Sequence, residues 1–231
     1  MILITLIIIL GILIYFVYGI FNIQFNLFIP SIHKINTSEK IVFLSFDDSP
    51  HPINTPLILE ILRINNIKAT FFSIGKNIEN HPDIFQQIIE DGHSIGNHSY
   101  SHNIAFTFHN ATNVFEDIKK CQVTIQKYTS KPVRFFRPPF GVTNPSIAKA
   151  VNQTGLISIG WLIRSYDTII SNKDHLIKRV LKKLKPGAII LLHDSGICTI
   201  HALQEMIEII KEKGYKIDNL DNFVKYNSKA I

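Results

Sequence analysis

Two adjacent carboxylates, Asp47 and Asp48, close the apolar run Ile41-Val42-Phe43-Leu44-Ser45-Phe46, and Ser49-Pro50 stops it. Asp is a poor strand residue, and two at the end of an apolar run are costly unless something pairs with them. Neighbours on an extended chain point to opposite sides, so the two acids are expected to do different jobs. A metal ligand beside a general base is one such pairing; a pair of solvated acids before a turn is the plain alternative. Further on, His98 and His102 bracket Ser99-Tyr100-Ser101. On a helical turn, imidazoles at this spacing share one face and reach a single ion. Asp48 as a third ligand completes a two-His, one-carboxylate set that leaves positions for water and substrate. Zn²⁺ accepts such ligands, and Fe, Co or Ni also suit them.

Water at such a metal needs a base, and Asp47 beside Asp48 is placed to be one. Arg137, opening Arg137-Pro138-Pro139-Phe140-Gly141, is able to pair with Asp47 and hold it ionised, the alternative being a surface ion pair. His193 ends a wholly apolar run and so starts as a buried base, able to protonate a leaving group with Asp167, which closes another run, raising its pKa. A single such His is ordinarily a core histidine satisfied by backbone. The neighbouring Asp194, and the polar groups that close the other strands, favour the chemical reading. His33, His51, His81, His93, His109, His175 and His201 read as surface or structural, with His51 near enough to the Asp pair to line the site.

Each cluster follows a predicted strand. The strands expected are the run into Asp47, Lys68–Ile74, a weak one at His93–Asn97, Val133–Phe136, Leu156–Ile163 and Ala188–Leu192, with a short last one at Tyr215–Ile217. Between them, helices are predicted from a Thr55 cap with Pro56, over Pro82–Glu90, over Val114–Tyr128 with Val114, Ile118, Cys121 and Ile125 on one stripe, and over Pro145–Asn152, Lys173–Leu184 and Thr199–Lys213. This alternation predicts an α/β fold with parallel strands, and both a barrel and an open doubly wound sheet fit it. In a barrel the C-terminal strand ends converge on one face, where the polar clusters then meet.

Met1 to Phe21 is almost unbroken in Ile, Leu, Val and aromatic residues, long enough to cross a bilayer as a helix. Without a basic start or a small-residue cleavage site, it reads as an uncleaved membrane anchor rather than a signal sequence. Residues 22–40, polar and apolar mixed with Pro30, read as a linker, and 41–231 as the catalytic domain. The net charge of +6 is spread out apart from the run Lys178 to Lys185, read as a solvated helix face rather than a nucleic-acid or lipid patch. Cys121 and Cys198 lack metal-type spacing.

Ser45-Phe46-Asp47-Asp48-Ser49-Pro50 resembles the Thr-Phe-Asp-Asp-Gly-Pro motif of the polysaccharide deacetylases, the NodB-homology family of carbohydrate esterases. His98-Ser99-Tyr100-Ser101-His102 is similar to that family's His-Ser/Thr-x-x-His motif, Arg137 to Gly141 to its Arg-x-Pro-aromatic-Gly motif, and Leu192-His193-Asp194 to its late Leu-x-His-like motif, all in the family's order.

The resemblance implies a distorted, incomplete (β/α) barrel of about seven strands. It implies Asp47 as general base, Asp48, His98 and His102 as metal ligands, Arg137 orienting Asp47, and Asp167 tuning His193 as general acid. The Phe140 N–H would stabilise an oxyanion, Leu192 would line the acetyl pocket, and Trp161 would contact substrate. The implied reaction is metal-dependent hydrolysis of N-acetyl groups on an amino-sugar polymer of the cell wall or an exopolysaccharide, most often with Zn²⁺, Co²⁺ or Ni²⁺ being alternatives. The expected protein is a monomer anchored in a membrane with its catalytic domain outside the cytoplasm, and nucleic acid is not an expected partner. Ser49, Arg164 and Thr168 depart from the family pattern, which touches pocket shape rather than the catalytic set. O-deacetylation of a polymer such as xylan uses the same machinery; a non-catalytic sugar-binding relative would have lost a base or ligand. A glycosidase needs its carboxylates on opposite sides of the bond, unlike adjacent Asp47 and Asp48.

Overall fold

The computed structural model describes residues 1–226; the last five residues of the expected catalytic domain lie outside the described residues. The strands are β1 (Ser31–Ile32), β2 (Ile41–Ser49), β3 (Thr70–Ser73), β4 (Ser94–Asn97), β5 (Phe135–Phe136), β6 (Ile157–Ile159), β7 (Ile163–Arg164), β8 (Ala188–His193) and β9 (Lys216–Asp218). The helices are α1 (Ile2–Phe21), α2 (Asn54–Ile64), α3 (Gly75–Asn80), α4 (Pro82–Glu90), α5 (Ala111–Gln126), α6 (Pro145–Thr154), α7 (Lys173–Lys182), α8 (Ile197–Glu212) and α9 (Phe223–Tyr226).

One sheet runs β1-β6-β5-β4-β3-β2-β8-β7, with β9 added beside β2. Every one of these strand pairings is parallel. The end strands β1 and β7 do not pair with each other among the described residues, so the barrel is distorted and incomplete. The chain itself crosses the gap. The expected strand Leu156–Ile163 is split at Gly160-Trp161-Leu162, where the Gly160 N–H donates to Ile32 (2.8 Å) and the Leu162 N–H to Ile189 (2.9 Å). The two halves of that run therefore serve opposite edges of the sheet.

Alternation along the strands builds two layers. Val42, Leu44 and Phe46 of β2 face the helices, joined by Ala188, Ile190 and Leu192 of β8. Ile41 and Phe43 face the barrel interior with Phe72, Phe135, Ile159 and Ile189. The helices carry the expected stripes: Val114, Ile118, Cys121 and Ile125 of α5 are all fully buried. Asn144 caps α6 by accepting from the Ile147 N–H at 2.9 Å. At α2, Thr55 lies inside the helix instead of capping it, and its hydroxyl donates to Asp194.

Residues 22–40 are not the linker the sequence suggested. Ile23, Ile29 and Ile35 are buried, and β1 extends the sheet beside β6. Their polar neighbours and a two-residue strand hide the pattern. Ile35 exchanges with the Pro186-Gly187 turn: its N–H donates to the Gly187 carbonyl at 2.8 Å, and its own carbonyl occupies the space a Gly187 side chain would need. Gly187 also has φ +76°, a conformation side-chain-bearing residues adopt at a cost. Helix α1 is docked as well. Two of its last carbonyls, Gly19 and Ile20, accept from the Thr143 hydroxyl (3.1 Å) and N–H (2.9 Å). A helix end leaves such carbonyls without partners, so Thr143 satisfies a standing need.

Ile35→Ala should therefore lower the stability of the chain from Asn22 onward by roughly 2–5 kcal/mol in urea unfolding. A change near zero would return 22–40 to the status of a tether.

Candidate active site

The C-terminal ends of β2, β4, β5 and β8 bring the polar clusters together. At the end of β2 the register against β3 shifts between Asp47 and Ser49, and Asp48 has φ +73°. This bulge overrides the expected opposite-facing arrangement. Asp47 Oδ2 and Asp48 Oδ1 each lie 3.7 Å from His98 Nε2, so both acids face one pocket. Asn77 of α3 fixes the bulge by donating to the Asp48 carbonyl at 2.8 Å. Ser49, where the family motif has glycine, turns inward and shares a hydrogen bond with Ser73 at 2.7 Å.

His98 and His102 do not sit on a helical turn. The segment is an irregular loop in which Ser99 and His102 have positive φ, and it still brings the two rings within 4.8 Å of each other. The loop is tied from below. Asn97 accepts from the Ser99 N–H (2.9 Å), Ser99 Oγ from the His102 N–H (3.0 Å), and Asp117 of α5 from the Tyr100 N–H (2.6 Å). Asp117 was not singled out from sequence, although an acid on the apolar stripe of α5 was a readable signal.

Asp48, His98 and His102 form a three-donor group whose ligand atoms lie within 4.8 Å of one another. The donors fit a divalent metal. His98 Nδ1 donates to the Arg137 carbonyl at 2.8 Å, which leaves Nε2 with its lone pair toward Asp48. Burial, with His102 adding to it, lowers the His98 pKa to about 3, keeping the imidazole neutral as a ligand must be. His102 Nε2 is 3.4 Å from Asp48 Oδ1, and its ring lies against Phe140.

Arg137 is wholly buried. Its Nη1 donates to Asp47 Oδ1 (2.6 Å) and Ser45 Oγ (3.0 Å), Nε to the Ile159 carbonyl (3.2 Å) and Nη2 to the Gly160 carbonyl (3.0 Å). One Asp47 oxygen is thus held by Arg137, and the other faces His98.

His193 pairs with Asp47 across β2 and β8, so the two share a face. Its Nδ1 is bonded to Asp167 Oδ1 at 2.8 Å, and its N–H donates to Asp167 Oδ2 at 2.6 Å. Burial works to lower the His193 pKa, but the Asp167 bond and charge, with Asp47 and Asp48 adding, raise it to about 9. Ser165 Oγ (2.8 Å) and the Thr199 hydroxyl donate to Asp167 in turn, two supports absent from the sequence reading. Asp194 faces away: it accepts from Thr55 and the His51 N–H, and burial raises its pKa to about 7. His51 does not join the metal group; its Nδ1 accepts from the Ile53 and Asn54 N–H groups at the start of α2.

Phe140 has φ +61° and is 45% exposed, and its N–H has no backbone acceptor among the described residues. Trp161 packs on Gly141, whose missing side chain makes room for the indole. Leu192 is placed differently from its expectation. It is buried among the helix-facing residues, whereas Leu191 packs with Trp161 and Ile23 on the face that carries His193. Residues one apart on a strand face opposite sides, so Leu191, two before His193, shares the face of His193 and Leu192 does not. Thr168 is exposed beside Asp167.

Two expectations follow. In the metal-free chain, His193 stabilises the fold in its charged form. That contribution is complete below its unfolded value near 6.5 and is lost as pH rises to about 9, a change of about 3 kcal/mol. Asp167→Asn should flatten the slope and move the His193 ring-proton titration, read by NMR, downward by at least about one unit. Leu192→Ala should cost roughly 2–5 kcal/mol of stability, read in urea unfolding, without disturbing the face that carries His193.

The polysaccharide deacetylase family model matches residues 34–159. A peptidoglycan-N-acetylglucosamine deacetylase of Bacillus cereus is 30% identical over 198 residues, covering 84% of this chain and 92% of the relative. A chitooligosaccharide deacetylase of Azorhizobium caulinodans is 36% identical over 163 residues, covering 70% of this chain and 77% of the relative. Among solved structures, a CE4 family pseudoenzyme from Bacillus anthracis superposes with a TM-score of 0.79 at 30% identity, covering 84% of this chain and 69% of its own. With the motifs, the incomplete parallel barrel and a model match over more than half its length, this chain belongs to the polysaccharide deacetylase family.

Proposed function

We propose that the protein is a metal-dependent hydrolase that removes N-acetyl groups from the amino sugars of a cell-wall or exported polysaccharide. The observation that carries the reading is the Asp48–His98–His102 group set beside Asp47, with Asp47 locked by a buried Arg137. The names of the relatives, which act on peptidoglycan and chitooligosaccharide, support the substrate class.

Asp48, His98 and His102 would hold the metal, Zn²⁺ being the ion that best suits two imidazoles and a carboxylate, with Co²⁺ or Ni²⁺ as alternatives. When bound, the metal supplies Lewis acidity to the acetyl oxygen and acidity to the attacking water. Asp47, with one oxygen on Arg137 and the other free, takes the proton from that water. The Phe140 N–H donates to the oxygen that gains charge as the acetyl carbon becomes tetrahedral. His193, charged at neutral pH with its Nδ1 on Asp167, delivers its Nε2 proton to the departing nitrogen. The amide C–N bond breaks, acetate leaves, and a free amine remains on the sugar. Leu191 and Trp161 form the apolar wall for the acetyl methyl.

The apolar α1 is long and apolar enough to span a bilayer. We read it as an anchor for a monomer whose catalytic domain lies outside the cytoplasm, where such polymers are found.

The purified protein should bind one Zn²⁺ and release acetate from N-acetylglucosamine oligomers. Asp47→Asn should lower kcat by at least about 10³-fold with metal content intact, consistent with loss of a general base. His102→Ala should lose the metal. Acetate released only from an acetylated xylan would reassign the enzyme to ester hydrolysis, and metal binding without any release would make it a sugar-binding relative.

A further inference from the structure

Where α1 leaves its docking point, a cavity of about 350 Å³ opens between the helix end and the barrel. Tyr18 and Phe21 line it from α1, Arg164 and Tyr166 from the segment after Trp161, and Arg179 and Lys183 from α7 and its end. No Asp or Glu lines it, and among the described residues none of the three cations is in an ion pair. Arg164, a departure from the family pattern, and the basic run around Arg179, read from sequence as a solvated face, thus meet in one place.

Both guanidiniums pack against one aromatic ring. Their central carbons stand 4.9 Å (Arg164) and 4.3 Å (Arg179) from the centre of the Tyr166 ring, and Arg179 Nε donates to the Arg164 carbonyl at 3.2 Å. Their terminal NH₂ groups have no hydrogen-bond acceptor among the described residues. An aromatic face attracts each cation but accepts no hydrogen bond from its terminal NH₂ groups in the ring plane, so those donors remain available. A planar fork with free donors matches the oxygens of a phosphate.

The position of the cavity selects the source of that phosphate. The last turns of α1 carry Tyr15, Phe16 and Tyr18, and Phe25 from the domain meets Tyr15 and Tyr18 edge-on, each at 5.2 Å. Such aromatic belts mark the boundary between bilayer core and head groups. The last turn of α1 has no basic residue of its own, so the cations beside it are those the folded domain brings to this cavity, Arg164, Arg179 and Lys183.

We propose that this cavity binds the phosphate of an anionic bilayer lipid head group, fixing the domain against the membrane surface. The proposal rests on α1 being a membrane helix, and not on the identity of the acetylated substrate. The test uses the full chain in detergent micelles, examined by native mass spectrometry with phosphatidylglycerol, phosphatidylcholine or inorganic phosphate added. One phosphatidylglycerol should be retained in preference to phosphatidylcholine. Retention should fall at least roughly tenfold in an Arg164→Gln, Arg179→Gln, Lys183→Gln variant. Lys183→Glu alone, at an exposed residue outside the hydrogen-bonded pair, should weaken it while the melting temperature holds. A Lys178→Gln, Lys182→Gln control on the same helix should retain the lipid. Equal retention of both lipids, or unchanged retention in both test variants, would overturn the proposal. Displacement of the lipid by inorganic phosphate at equal concentration would make the cavity a free-anion site instead. A full chain that fails to enter micelles or vesicles would overturn the anchor reading along with it.

Discussion

A guanidinium buried at the centre of the barrel is the constraint on which the site depends. Removing Arg137 from water costs several kcal/mol, and that cost is offset only if its donors find acceptors. The acceptors are a carboxylate and a hydroxyl from β2, the last carbonyl of β6 and the Gly160 carbonyl just after it, while the Arg137 carbonyl itself orients His98. The side chain also lies on the Phe72 ring, 4.0 Å from its centre. A single residue therefore links Asp47, His98 and the point where the chain leaves one edge of the sheet for the other.

Around this pair the backbone is held in unfavourable shapes. Asp48, Ser99, His102 and Phe140 all have positive φ without being glycine. Each costs on the order of 1–2 kcal/mol. The surrounding bonds from Asn77, Asn97, Ser99 and Asp117 over-determine the shapes at Asp48, Ser99 and His102, so these segments present their side chains without needing a regular element to aim them. The Asp48 bulge does the most, because it turns a strand's natural alternation into convergence.

Much of this was legible in the sequence. Acids, imidazoles and an arginine at the ends of apolar runs are expensive, and that expense made Asp47, Asp48, His98, His102, Arg137 and His193 stand out. Positions defined by a tertiary partner were harder to read. β8 is buried on both faces, so its sequence shows no polar contrast to tell Leu191 from Leu192. Thr55 fits a helix-cap pattern, yet its hydroxyl is needed by Asp194, a residue far along the chain. The segment 22–40 looks like a tether because its isoleucines are spaced by neither helix nor strand period, and only the sheet edge they cover reveals their role.

The docking of α1 has a mechanical consequence. Thr143 holds its final carbonyls, and Gln24 holds the Trp161 carbonyl at 2.8 Å, so no swivel separates the helix from the catalytic bowl. Were α1 embedded in a bilayer as proposed, such a molecule would patrol a plane rather than a volume. The height of its reactive atoms above that plane is a constant of the fold. With α1 as the membrane anchor proposed above, a polymer strand lying beyond that height would stay untouched however long it waited, and the depth of the modified layer would be set by the length of a rigid arm and not by turnover.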